Sequence, residues 1–190
     1  MKTTLAVSAL CAVLASAACT PDTLGLHPNQ TLPDQFSIKV SPLSGGGPSF
    51  ALGVNSTLDD GGGFFYSLDL LPADTPTDSF DLGVFQLSGG QLYANGGVLA
   101  SRGTPLLSPL QLFVASDSAA SSVSAAAVTS CSADGKEIQV IRILNVLGLA
   151  SGSAAVKELK EGASLYSPIL VGLLSLGTLV NWEVVPLPSS

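Results

Sequence analysis

Histidine, tryptophan and methionine each occur once in this chain of 190 residues, and only 11% of its residues are charged. Each scarcity removes a class of function. With His27 as the sole imidazole, a zinc or copper site built on several histidines is excluded by count. A Ser-His-Asp triad would have to assemble around His27, which sits in the proline-containing stretch GLHPNQT and reads as an ordinary surface residue. No catalytic signature, clustered metal ligands or phosphate loop is present. The expectation is therefore no catalytic residue, no metal and no cofactor.

Positive charge is also scarce. Seven Lys and Arg stand against 14 Asp and Glu, a net charge of −7 that becomes −8 once a leader containing Lys2 is lost. Between Lys39 and Arg102 lie Asp59, Asp60, Asp69, Asp74, Asp78 and Asp81, without one basic residue. Such a surface repels phosphate backbones, which argues against nucleic acid and anionic lipid as partners. The run DDGGG (59–63) has adjacent carboxylates but lacks the alternating oxygen ligands and terminal Glu of a calcium loop, so it reads as solvated loop acids.

Long apolar runs are missing too. At the N-terminus, Lys2 precedes an apolar stretch from Leu5 to about Ala15, then small residues. That is a secretory signal, cleaved after Ala17 or Ala18. The stretch SPILVGLLSLGTLVNW (167–182) is interrupted by Pro168, Gly172, Ser175, Gly177 and Thr178. It falls short of the ~20 residues that cross a bilayer as a helix. No transmembrane segment is expected, and the stretch reads as buried core. Helix and strand compete there, with short strands broken at glycines the better fit. The C-terminal NWEVVPLPSS is not the apolar tail of a lipid-anchor signal. The expected organisation is a signal over 1–18, an N-terminal arm over 19–35 and one β-rich domain over 36–188.

Of three cysteines, Cys11 leaves with the signal. Cys19 and Cys131 remain, an even number on an oxidising route, and predict one disulfide. The competing readings are a buried free thiol at Cys131 and acylation of Cys19. The second is weakened by Ser16, where that processing signal wants Leu. Sequons at Asn29 (Asn-Gln-Thr) and Asn55 (Asn-Ser-Thr) predict two exposed N-glycosylation sites in a eukaryotic host.

What the chain does have is a period of two. FSIKV sets Phe36, Ile38 and Val40 against Ser37 and Lys39. SFALGV, FFYSLDL, SFDLGVF and TLVNWEVV repeat the alternation, placing Phe50, Leu68, Phe80, Leu82, Val84 and Trp182 among the inward residues. Between them fall SGGGP, DDGGG, PADTPTD, SGG, ANGG and ADGK, turn signals that include Gly89-Gly90 and Asn95-Gly96. The Ala/Ser tract over 115–134 is either an O-glycosylated loop or a pair of small-residue strands. Residues 152–163, GSAAVKELKEGA, predict a helix of about two turns with Ser153 as cap and Gly162 as stop. The fold class is all-β: a single-domain β-sandwich or barrel with one short helix.

Two chemistries remain open. A hydrolase needs only two carboxylates, and Glu137, Glu158, Glu161 and Glu183 are the glutamate candidates, although all read as outward-facing. Sugar binding needs an accessible aromatic. Trp182 and Tyr66 lie on the apolar sides of their strands, which leaves Tyr93, beside the ANGG turn, as the candidate ligand contact.

The order of features resembles a group of small fungal secreted proteins, the phialide-type cell-wall proteins and IgE-binding-protein-like antigens. The resemblance rests on the opening strand FSIKV, the sequon loop NST, the element FQLSGGQLYANGG and the closing strand NWEVV. It covers residues 36–100 and the last strand; the group carries more cysteines in its second half than this chain does. The resemblance implies a non-enzymatic protein of the cell wall or culture medium, and it transfers no functional residue. Together with 46% hydrophobic residues and a mean hydropathy of +0.50, it leads to a secreted, extracellular surface protein. The expected partner is cell-wall polysaccharide, or the protein itself. The alternatives are an extracellular carrier of an apolar ligand and a glycan-active hydrolase.

Overall fold

The computed structural model describes residue 19 and residues 32–43, 46–58, 64–102, 111–115, 122–132, 134–144, 154–166 and 177–188. The described residues form twelve strands. The first six are β1 (Phe36–Pro42), β2 (Phe50–Leu58), β3 (Phe64–Pro72), β4 (Phe85–Ser88), β5 (Gln91–Ala94) and β6 (Gly97–Arg102). The others are β7 (Gln111–Ala115), β8 (Ala125–Cys131), β9 (Glu137–Ile143), β10 (Ala155–Val156), β11 (Leu165–Tyr166) and β12 (Thr178–Pro186).

Among the described residues every pairing is antiparallel, and the pairings close on themselves. One circuit of seven strands passes β1–β2–β3–β7–β11–β10–β12 and returns to β1. The first and last strands are neighbours over their length, from Phe36↔Pro186 to Pro42↔Val180. A hairpin of β2 and β3 runs in register from Phe50↔Pro72 to Leu58↔Phe64. The meander β4–β5–β6 starts beside β1 at Phe36↔Phe85 and ends against β7. Outside the circuit, β9 pairs with β12 and β8 with β9. The chain is thus an all-β closed barrel with extra strands, which removes most free sheet edges.

Alternation builds the interior. Phe36, Ile38 and Val40 of β1, Leu52 and Val54 of β2, Leu68 and Leu70 of β3, and Val180 and Trp182 of β12 are all buried. Phe36 and Phe85 stack across the β1–β4 contact with ring centroids 6.5 Å apart. A seven-stranded barrel is just wide enough for side chains to fill it, and Trp182, Phe36 and Phe85, each nearly fully buried, do so here. Fully burying each of the larger apolar side chains stabilises the fold by about 1.5–3 kcal/mol.

The meander turns at the expected places. Gly89 and Gly90 have φ of 57° and 77°, and Asn95 and Gly96 have 49° and 78°. Positive φ at both corner residues matches the twist of the flanking strands, which Asn-Gly and Gly-Gly tolerate.

Four expectations need correction or completion. No helix forms over 154–163; residues 152 and 153 lie outside the described region. Ala155 and Val156 instead pair with β11 on one side and β12 on the other, both buried. A helix of two turns is marginal by itself, and pairing two buried residues on both edges outweighs its propensity. Glu158 and Lys160 then form an ion pair at 2.7 Å two residues apart, a spacing that helical residues do not bring face to face.

SFDLGVF does not form one strand either: residues 79–82 form a turn, and Phe80 lies outside the core. The Ala/Ser tract resolves, where described, into strand β8, with Ala125, Ala127 and Val128 buried. Of the 167–180 stretch, only 177–180 are described, and Thr178 begins β12.

Among the described residues, no helix is long and apolar enough to cross a membrane.

Candidate functional site

Tyr93 lies on β5, directly opposite Gln86 of β4. On this hairpin Phe85, Leu92 and Ala94 are buried, while Gln86, Gln91 and Tyr93 fall on the other side of the pleat. Tyr93 is half-buried. Its hydroxyl donates to Gln91 Oε1 at 2.8 Å, and Gln91 Nε2 donates to Ser122 Oγ at 3.3 Å. The phenol is therefore fixed by an amide that is itself oriented by the chain entering β8.

A groove of about 390 Å³ lies beside it, lined by Tyr93, Gln35, Gln86, Asn95, Gly96 and the edge of the buried Phe85, with Val84 and Ala94 completing it. Every lining side chain is neutral. Amides offer both donors and acceptors, and an aromatic ring offers an apolar surface. The groove offers hydrogen-bonding partners for a ligand rich in hydroxyls, and its lining includes no carboxylate. Sequence reasoning found Tyr93 and missed Gln35, Gln86, Gln91 and Asn95. The signal for two of these was present: counting back from the Gly89-Gly90 turn pairs Gln86 with Tyr93 and Ser88 with Gln91.

The other aromatic candidates lie elsewhere. Trp182 is in the core, and Tyr66 packs against it.

The candidate carboxylates do not converge on this groove. Glu137 and Glu161 are exposed. Glu158 pairs with Lys160, whose hydrogen bond holds the Glu158 carboxyl below its ordinary range, the wrong direction for a general acid. Glu183 pairs with Lys39 at 3.0 Å across the β1–β12 ladder. That ion pair borders a second depression, of about 470 Å³, shared with Asn181, Ser132, Asp134 and Cys131. Asn181, one of its lining residues, is buried and accepts a hydrogen bond from the buried Arg142.

Cys19 and Cys131 form a disulfide, with Cα atoms 5.7 Å apart and a separation of 112 positions in sequence. Asn55 differs from its expected exposure. It is half-buried, and its Nδ2 donates at 3.0 Å to Asp69 Oδ2, which also accepts from Ser67 Oγ at 2.8 Å. The register explains this, because Ser67 is opposite Asn55 on the β2–β3 ladder and Asp69 is diagonal to it. Asn29, His27 and the DDGGG acids lie outside the described residues. Among the described residues, no group of three or more His, Cys, Asp or Glu could hold a metal ion.

No family model, no curated protein and no solved structure matches this chain.

Proposed function

We propose that this protein is a secreted, non-enzymatic component of the cell wall or the surrounding medium, and that it holds wall polysaccharide in the groove at Tyr93. The observation that carries the reading is the make-up of that groove: one oriented tyrosine framed by Gln35, Gln86 and Asn95, with only neutral side chains along it. Sugars present hydroxyls to amides and a C–H face to a ring, and neutral walls suit an uncharged polymer. The Cys19–Cys131 disulfide supports an oxidising, extracellular setting. An interior filled by Trp182, Phe36 and Phe85 favours a surface-bound ligand over an apolar molecule carried inside the barrel. An N-linked glycan at Asn29 belongs to the same reading, as does the resemblance to fungal wall proteins that the sequence suggests.

Co-sedimentation of the protein, purified from culture medium, with insoluble β-glucan, cellulose and chitin tests this. One of these polymers should retain it, and Tyr93→Ala should release it while leaving the melting temperature near that of the parent. Equal retention of the parent and Tyr93→Ala would rule the groove out. Release of soluble sugar during the incubation would make the protein an enzyme and overturn the non-enzymatic reading.

A further inference from the structure

The loop between β3 and β4 displays an aromatic ring to water. Phe80 is 99% exposed, whereas Phe36, Phe50, Phe85 and Phe113 are all buried. The loop around it is firmly tied. Thr75 binds the Pro72 carbonyl through its N–H at 3.1 Å and its hydroxyl at 2.7 Å, and the Ser79 N–H donates to Pro76 O at 3.0 Å. The Leu82 N–H donates to Ser79 O at 3.2 Å, which makes Phe80 and Asp81 the two corner residues of a β-turn. That turn is sewn to β2: the Val54 N–H donates to Asp81 O and the Gly83 N–H to Leu52 O, both at 2.9 Å. Leu82, two residues after Phe80, is buried. The backbone thus presents the ring outward at a fixed place, already ordered before any partner arrives.

The surroundings narrow the partner. Asp74, Asp78 and Asp81 are exposed on the same loop, and no Lys or Arg occurs in the sequence between Lys39 and Arg102. Three carboxylates repel an anionic lipid surface, so the ring is not a membrane anchor. An aromatic face attracts cations and flat C–H surfaces, and carboxylates attract cations. A polymer of protonated amino sugars offers a C–H face and a positive charge in every repeat unit.

We propose that Phe80, with Asp74, Asp78 and Asp81, forms a second polysaccharide contact, and that its ligand is a cationic amino-sugar polymer. This rests on the reading of the protein as a polysaccharide binder. It differs in residues, place and charge from the neutral groove at Tyr93.

The test is calorimetric titration of the full secreted protein with a glucosamine hexamer, its fully N-acetylated counterpart and a lysine hexamer. The glucosamine hexamer should bind about tenfold tighter than the acetylated one and about tenfold tighter than the lysine hexamer. Raising the salt from about 50 to about 500 mM should weaken it severalfold, because exposed charges are screened over that range. Phe80→Ala should cost about fivefold or more in affinity, with Phe80→Trp retaining it, since Trp presents the best face to a cation. Asp78→Asn should weaken binding and flatten its salt dependence. All these side chains are exposed, so the variants should melt like the parent.

Equal binding of the acetylated hexamer, equal binding of the lysine hexamer, or an unchanged Phe80→Ala would each overturn the proposal. Tyr93→Ala separates the two sites. If it leaves glucosamine binding intact while Phe80→Ala weakens it by about fivefold or more, the second contact stands even where the neutral groove fails.

Discussion

Arg142 of β9 donates from Nη1 to Asn181 Oδ1 of β12 at 2.8 Å, and both residues are buried, at 5% and 7% exposure. Burial pushes the guanidinium pKa down by desolvation, yet arginine keeps its charge at any ordinary pH. A buried charge depends on its hydrogen-bond acceptors. Asn181→Ala should therefore cost about 1.5–3 kcal/mol, the range for a hydrogen bond to a charged group. Chemical denaturation of the two proteins, with unchanged slopes, is the check. A loss below about 0.5 kcal/mol would show that this bond does not hold the β9–β12 contact.

The disulfide joins positions 112 apart, which closes a large loop in the unfolded chain. Chain-entropy arguments give about 4–5 kcal/mol of stabilisation for a loop of this length. Cys19→Ser together with Cys131→Ser should lower the denaturation midpoint accordingly. Intact mass of the parent should fall two hydrogens below the reduced form. A parent that gains no mass on reduction would contradict the bond.

The chain holds one tryptophan, and Trp182 is 1% exposed with its Nε1 unpartnered. Its fluorescence should be blue-shifted and resistant to acrylamide, then move to the red on unfolding. Replacing it with Phe removes an unsatisfied buried donor while leaving a gap. The cost should fall at the low end of the aromatic-truncation range, under about 3 kcal/mol. A red-shifted, readily quenched native spectrum would place Trp182 outside the core.

Asp134 sits in the β8–β9 turn, where its hydrogen bonds to Lys136 and Ser132 lower its pKa from the ordinary 3.8 to about 2. A carboxyl depressed on folding contributes stability that is complete above its unfolded pKa. That contribution is lost as the pH falls through the folded value, here between about pH 4 and pH 2. Side-chain carbon chemical shifts should follow an acid midpoint near 2, and Lys136→Met should raise it. A midpoint near 3.8 in the parent would mean that the turn does not hold the pair.

Gly177 precedes β12 with φ of +94°, and a side chain there would collide with the carbonyl of Val156 in β10. Gly177→Ala combines backbone strain with an immovable steric clash. It should destabilise by at least about 2 kcal/mol and open the β10–β12 contact first. Amide exchange at Val156 and Val180 reports this, and an alanine variant with parental protection would contradict it.

Where one face of a strand is buried along its length, the alternation was legible. Phe36-Ile38-Val40 and Val180-Trp182-Val184 show it, as do the tight turns at Gly89-Gly90 and Asn95-Gly96. The two-residue strands β10 and β11 carry no period to read, so an alanine-rich segment ending in Lys and Glu looked helical. Phe80 follows the same alternation as Leu82, and only the hydrogen bonds accepted by the Pro76 and Ser79 carbonyls turn it outward. Arg142 reads as a solvated charge within EIQVIRI, and no local signal says that its side of β9 is covered. The groove at Tyr93 was half legible, since its aromatic stood out and Gln86 and Gln91 follow from hairpin register. Gln35 arrives from the bend just before β1, far away in sequence.

The ladder between β1 and β12 brings the two extremes of the folded region side by side. Strands so distant in sequence meet only after the intervening chain has been ordered or released from a ribosome, and such non-local pairing is slow. Until β12 emerges, β1 lacks one of its neighbours and the circuit stays open. A chain that cannot close early stays extended and open for longer during synthesis. The same adjacency makes the molecule a candidate for circular permutation: a short linker from the residues after Pro186 to those before Phe36, with new ends opened at the Gly89-Gly90 turn, would preserve every strand contact.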